Sequence, residues 1–399
     1  MHEDDGRELW CECYSYTAVK LIAGELSNTR TELPEMLVLD ILSKLPVKSL
    51  TRFKCVCKAW SSSFQTPFFI TQQHHNNLRN NNLNLLIKRN NGDSYHDIHF
   101  LSQLSTEKGQ DFSLEQDIPL PFFDDHWHRP LVYGHCNGLL CLIGEDKLAL
   151  WNPSIRQFKI LPESSVQRPP SAYMTRFGNL GFGYDSQSDD YKVVRFVTNY
   201  FGFDDGKIKI TSHVTMQIDL YSLRGNSWKE IPLPQVNVVH DHPWLDNHVN
   251  GIFYWVASGV TLASDFRLLS FDMVNERFST LALPRGILLQ NEFQLLNFNG
   301  LLGAMAYTWE VTPEETMCSF DLWVMSGSWT KLFSIKSVPG VWRLLGFWKN
   351  GELFYENSDN KLILFDPSTR ELKNLGIHAY NGAMQIIFYV ESLVPLESL

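Results

Sequence analysis

The dipeptide Asn-Gly recurs at positions 137–138, 250–251, 299–300 and 350–351, each time ahead of an apolar run: Leu-Leu-Cys-Leu-Ile, Ile-Phe-Tyr-Trp-Val, Leu-Leu-Gly-Ala-Met and Glu-Leu-Phe-Tyr. Asn-Gly suits the two positive φ angles of a type I′ turn, so each site reads as a β-hairpin. A second element follows each time: an apolar-aromatic strand, a polar turn, then an aromatic or Leu. Its aromatic markers are Trp151, Tyr221, Phe271, Trp323 and Phe365, spaced 70, 50, 52 and 42 residues apart; the last three Asn-Gly pairs are 49 and 51 apart. A period near 50 with several strands per repeat points to a kelch-like β-propeller, whose blades bury both faces only when stacked in a ring. About six blades fit the ~300 residues available. Residues 384–390 read as a late strand that completes a blade begun near residues 83–88, hiding both edges. An irregular β-sandwich shares the turn density and is the alternative.

The front of the chain has a different period. Between residues 31 and 60, 16 of 30 positions are apolar. Pro34 and Pro46 each stand where proline tolerates the first turn of a helix, and two or three short helices are expected, the third running out at Thr66-Pro67. The first has two apolar faces: Leu37, Ile41 and Leu45 recur at four-residue spacing while Met36, Val38, Leu39 and Leu42 fill the intervals. Fewer than ~40 residues cannot bury that much apolar surface alone, so the excess faces a partner or the rest of the chain. The expected division is an extension over 1–30 read as flexible, a helical module over 31–75, an Asn-rich connector and first strand over 76–95, a β domain over 83–393 and a tail over 394–399. Eight of the sixteen residues from 76 to 91 are Asn.

The run Leu33-Pro34, Ile41-Leu42-x-x-Leu45-Pro46-Val47-Lys48-Ser49-Leu50-x-Arg52-Phe53-Lys54-x-Val56-Cys57-Lys58-x-Trp60 closely resembles the F-box motif. That resemblance implies docking on the Skp-type adaptor of a cullin-based (SCF) ubiquitin ligase, and through it on a cullin scaffold and a RING subunit. Leu33, Pro34, Ile41, Leu42, Leu45, Pro46, Val47, Leu50, Val56 and Trp60 fall on positions the family uses for contact or for holding the module together. Further on, Gly181-Phe182-Gly183-Tyr184-Asp185-Ser186-x-Ser188-Asp189-Asp190-Tyr191-Lys192-Val193-Val194-Arg195 resembles the F-box-associated domain of plants. So do Cys136-Asn137-Gly138-Leu139-Leu140-Cys141, Leu150-Trp151-Asn152-Pro153 and Tyr389-Val390-Glu391-Ser392-Leu393. Within that group the chain is similar to S-locus F-box and S-locus-F-box-like proteins, which implies pollen self-incompatibility ribonucleases as targets. The 30-residue extension and the uneven first interval depart from the family pattern.

The chain carries −10. Residues 31–60 hold five bases against three acids, so the remainder carries −12. This argues against nucleic acid, which demands phosphate neutralisation, and favours a basic protein partner. Acids rather than bases fill residues 1–12, against a secretory leader, and no run reaches the ~18 apolar residues of a membrane span. Seven cysteines without framework spacing read as reduced thiols of the cytoplasm or nucleus. No Gly-x-Ser-x-Gly, His-Glu-x-x-His or Walker motif occurs. The pairs His126/His128 and His240/His242 read as loop histidines with no further ligand, so neither metal nor cofactor is expected. Three acid-rich segments with aromatics, 201–205, 237–247 and 308–316, are read as binding loops. Their candidate substrate contacts are Asp204, Asp205, Asp241, Trp244, Asp246, Trp309, Glu314 and Glu315. The sequence thus reads as a non-catalytic receptor subunit. The alternatives are a galactose-oxidase-like propeller enzyme or sugar-binding module, which needs a catalytic cluster, and a non-ligase F-box scaffold.

Overall fold

At Asn137-Gly138, Asn250-Gly251 and Asn299-Gly300 both residues hold positive φ, from 49° to 52° at Asn and 79° to 81° at Gly. Each pair joins neighbouring antiparallel strands. The computed structural model describes residues 33–80, 82–92, 98–106, 112–120, 130–144, 147–170, 172–201, 214–238, 245–259, 266–288, 292–312, 316–348, 351–380 and 382–396; the N-terminal extension lies outside them.

The strands form six antiparallel sheets. Blade 1 holds Asn84–Asn90, His99–Leu104 and Leu114–Pro119, with Gln385–Tyr389 on its inner edge. Blade 2 holds Leu131–Cys136, Leu139–Gly144, Lys147–Asn152 and Gln157–Ile160, and blade 3 Met174–Asp185, Asp190–Tyr200, Val214–Ser222 and Ser227–Ile231. Blade 4 opens on two short strands, Val236–Val238 and His248–Val249, that both pair with Ile252–Gly259, followed by Phe266–Asp272 and Arg277–Ala282. Blade 5 holds Glu292–Phe298, Leu301–Val311, Thr316–Ser326 and Ser328–Pro339; blade 6 holds Val341–Phe347, Leu353–Asn357, Lys361–Phe365 and Leu372–His378. The five aromatic markers all lie on the third strand of their blade. The long first interval comes from blade 3, whose first two strands run to 12 and 11 residues.

Ring closure is direct. Gln385–Tyr389 pairs with the first strand, from Asn84 against Tyr389 to Lys88 against Gln385. Six apolar clusters each join one blade to the next all the way round, which a sandwich of two sheets cannot do. Polar handles cross the same seams. The Gln385 amide bonds both the N–H and the C=O of Val132 at 2.9 Å, the Trp255 indole donates to the Leu180 carbonyl, and Trp329 donates to Ala282. Lys192, nearly buried, bridges Asp185 (2.7 Å) on blade 3 and Glu276 (2.8 Å) on blade 4. Burial alone would raise the Asp185 carboxyl, but the hydrogen bonds from Lys192, Ser188 and the backbone outweigh it and hold it at about 2.

Antiparallel order sends the first-to-second and third-to-fourth strand turns to one end of every blade, the turn face. Second-to-third and blade-to-blade connections gather at the other end, the loop face. The strand Asn84–Asn90 begins at the turn face, so the preceding helices lie there.

Among the described residues four helices precede the ring: α1 (Glu35–Leu42), α2 (Val47–Phe53), α3 (Lys58–Ser63) and α4 (Pro67–Arg79). A one-turn α5 (Arg285–Leu288) lies between blades 4 and 5. Pro34 and Pro46 occupy the N-cap position, one residue ahead of the first turn. The fourth helix corrects the expectation that helix ends at Thr66-Pro67 and a connector starts at 76. Thr66 Oγ1 caps it by accepting from the Phe69 N–H, and Pro67 opens it, so the apparent stop signal is a start. The expected tail is not free either, since Val394 and Leu396 are buried between blades 2 and 3. Among the described residues no helix is long and apolar enough to cross a membrane.

Candidate functional site

The two apolar faces of α1 have different fates. Leu42 turns inward and is buried with Val47 and Leu50 of α2, Phe64, Phe69 of α4 and Leu393 from the end of the ring. Leu33, Met36, Leu37 and Ile41 turn outward, each between 48% and 68% exposed, a stripe at helical spacing that none of the described residues covers. Of the adaptor contacts expected by resemblance, Leu33, Pro34, Ile41 and Pro46 are therefore exposed, Leu45, Val56 and Trp60 half-buried, and Leu42, Val47 and Leu50 internal. Trp60 belongs to an aromatic ladder, Phe53–Trp60–Phe64–Phe69, with centroids 5.9, 6.3 and 4.8 Å apart. Lys44, Lys48, Arg52 and Lys58 are exposed on the helical module, Lys44 paired to Asp40 and Lys48 close enough to Glu391 to act on its charge.

The inner face is fixed to the ring by residues 390–396, which leave the closing strand as a strap. Glu391 accepts from the Val47 N–H (3.0 Å) with its carboxylate and from the Asn77 amide (3.3 Å) with its carbonyl. Leu393 completes the helical core. On the ring side, buried Asn152 donates to the carbonyls of Ser392 (3.0 Å) and Val394 (2.9 Å), while its own oxygen accepts from the Ser154 N–H and the Tyr389 hydroxyl. Gly138 leaves room for the strap: a Cβ there would lie 2.2 Å from Ser392 Cβ. Burial pushes the Glu391 carboxyl up, opposed in part by the Val47 N–H and by Lys48.

Of the candidate contacts on the ring, Asp246 and Trp309 are among the described residues. Asp204, Asp205, Asp241, Trp244, Glu314 and Glu315 lie outside the described residues, as do His126, His128, His240 and His242. Asp246 lines a central cavity of about 370 Å³ between the inner strands, where its carboxylate stands 3.7 Å from His135 Nε2 and accepts from the His248 N–H. Phe298, Phe347, Trp348 and Phe388 form apolar walls of this cavity. Trp309 is not in a loop but near the end of the strand Leu301–Val311, half-buried, stacked on Tyr307 at 6.5 Å and donating to Glu292. Two exposed side chains escaped sequence reasoning: Trp342, at the start of blade 6's inner strand, and Val311, two residues beyond Trp309. The only signal for Trp342 was its place just after the Pro339-Gly340 turn. Cys136 and Cys141 are buried, their thiols pushed up to about 12 by burial. Among the described residues no three His, Cys, Asp or Glu side chains cluster to hold a metal.

Residues 83–385 match the family described as the F-box associated beta propeller domain, and residues 31–71 match the F-box domain. An F-box/kelch-repeat protein of Arabidopsis thaliana is 30% identical over 387 residues, covering 92% of this chain and 96% of the relative. A second Arabidopsis thaliana F-box protein is 27% identical over 411 residues (90% and 91% covered). F-box protein CPR1 of the same plant is 26% identical over 390 residues (91% and 88%).

Proposed function

Because the chain belongs to the F-box-associated β-propeller family, we propose that it is the substrate receptor of an SCF-type ubiquitin ligase. On this reading the helical module holds a Skp-type adaptor, and through it the cullin and RING subunits, while the ring holds a protein target for ubiquitin transfer by a separate conjugating enzyme. The chain performs no chemistry of its own, requires no cofactor, and works in the cytoplasm or nucleus. The observation that carries the reading is the outward stripe of Leu33, Met36, Leu37 and Ile41, exposed among the described residues while the opposite face is packed against the ring. Uncovered apolar stripes on an otherwise satisfied module serve association. The finer reading of the target is a basic protein, the secreted ribonucleases implied by the S-locus resemblance being one such class; it draws on the −12 carried outside residues 31–60.

Co-purification with a Skp-type adaptor tests the docking face. Ile41→Asp, at a 50% exposed position, is expected to weaken adaptor binding at least tenfold with the melting temperature unchanged, since it buries a charge only in the complex. Undiminished adaptor binding by this variant and by Leu37→Asp overturns the assignment.

A further inference from the structure

Val311 and Trp342 are 77% and 63% exposed, more than any other described large apolar side chain of the ring. Both stand at the loop face, opposite the helices, and the backbone ties them to one rim. Val311 pairs with Thr316, whose carbonyl accepts from the Gly340 N–H at 3.1 Å, two residues before Trp342. Blade 5 supplies this rim because its second and third strands are 11 residues long against five in blade 6, which carries its hairpin end past its neighbour's. Trp309, stacked on Tyr307 and anchored to Glu292, stiffens the strand that presents Val311.

Glu292 and Glu310 are exposed on the same end of blade 5. Arg343, next to Trp342, turns inward to Glu356 (2.5 Å) and the Met384 carbonyl (2.8 Å), which leaves Lys336 on the outer strand as the base nearest in sequence to the Pro339-Gly340 turn.

We propose that this rim of blades 5 and 6 docks a basic segment of the target protein, with Trp342 and Val311 as apolar anchors and Glu292 and Glu310 as counter-charges; the proposal rests on the receptor reading above. An exposed indole on a rim that also carries exposed carboxylates suits an arginine or lysine side chain, which stacks its apolar stem or guanidinium on the ring face and directs its charge to the acids. Aromatic anchors ringed by complementary charge are where interfaces concentrate their affinity.

The test uses the full chain and three fluorescein-labelled peptides of equal length: alternating Arg and Leu, alternating Glu and Leu, and alternating Arg and Gly. Fluorescence anisotropy is expected to show the Arg-Leu peptide binding at least tenfold more tightly than the other two. Trp342→Ala should weaken it about tenfold at an unchanged melting temperature, and Glu310→Lys several-fold with a flatter salt dependence. Unchanged binding by Trp342→Ala, or equal binding of the Glu-Leu peptide, overturns the proposal. So does sedimentation in which Trp342→Ala converts a dimer to monomer, since the rim is then occupied by a second copy. Ile41→Asp keeps the two readings apart: retained adaptor binding sinks the receptor assignment, whereas a silent Trp342→Ala sinks the rim alone.

Discussion

Asn152 is fully buried and makes four hydrogen bonds, two of which hold the strap against blade 2. Replacing it with alanine leaves the carbonyls of Ser392 and Val394 and the N–H of Ser154 without these partners, while the Tyr389 hydroxyl keeps Ser154 Oγ (2.6 Å) and the Gly138 carbonyl (3.1 Å). At about 1–3 kcal/mol for each buried group left unpaired, three groups give a cost of about 3–9 kcal/mol if water does not enter, with the lower end if it does. Leu393→Ala strikes the same strap from the helical side. Leu393 is 3% exposed among Leu42, Leu50, Phe64 and Phe69, and its truncation should cost about 2–5 kcal/mol. Urea denaturation followed by tryptophan fluorescence measures each variant, and limited proteolysis between residues 80 and 84 reports release of the helices from the ring. Because one seven-residue strap carries both contacts, the double variant should fall short of the sum of the two singles by more than ~0.5 kcal/mol. Asn152→Ala costing less than about 1 kcal/mol, or two fully additive losses, would refute the claim that the strap couples module and ring.

Two other outcomes follow from the same geometry. Since the folded Glu391 carboxyl lies above its ordinary value of about 4.3, the folded state holds the extra proton between that value and the raised one, and stability falls as pH rises through this window; Glu391→Gln should flatten that slope in pH-dependent melting, and an unaltered slope assigns it elsewhere. Ending the chain at Ala383 removes the inner strand of blade 1, the Gln385 lock on Val132 and the strap together, so the ring should aggregate or become protease-sensitive throughout; a soluble product with an unchanged melting temperature would contradict a closed ring.

The blades were legible because their signals are local. Asn-Gly needs only its own two φ angles, and the markers Trp151, Tyr221, Phe271, Trp323 and Phe365 repeat because the third strand of each blade meets the same surroundings. Even closure by residues 384–390 could be read, as an unpaired strand at each end of the chain has one economical partner. What failed depended on distant partners. Asn76 and Asn77 resemble linker composition, yet one bonds Ser43 and the other is buried against Glu391, more than three hundred residues away. Trp309 looked like an exposed loop aromatic until Tyr307 and Glu292 were placed beside it. Asp246 read as a loop acid, but the interruption of blade 4's inner strand delivers it to the central cavity beside His135, because Val236–Val238 and His248–Val249 must both reach the same partner strand.

Closure and attachment are one event in this chain. The strand that completes blade 1 runs without interruption into the strap that receives α2. A ring open at that seam lacks Glu391, Leu393 and the Asn152 contacts in position, and its helical module keeps the apolar contacts of Ile70 and Ile155 to the ring. A closed ring presents the apolar stripe of α1 from the turn face and the Trp342 rim from the loop face in a fixed relation, with the stacked blades between them. Folding of the ring and orientation of the helical module on it then share the same five backbone pairings, Asn84 against Tyr389 through Lys88 against Gln385, and on the receptor reading proposed above these pairings also set where the target sits relative to the conjugating enzyme.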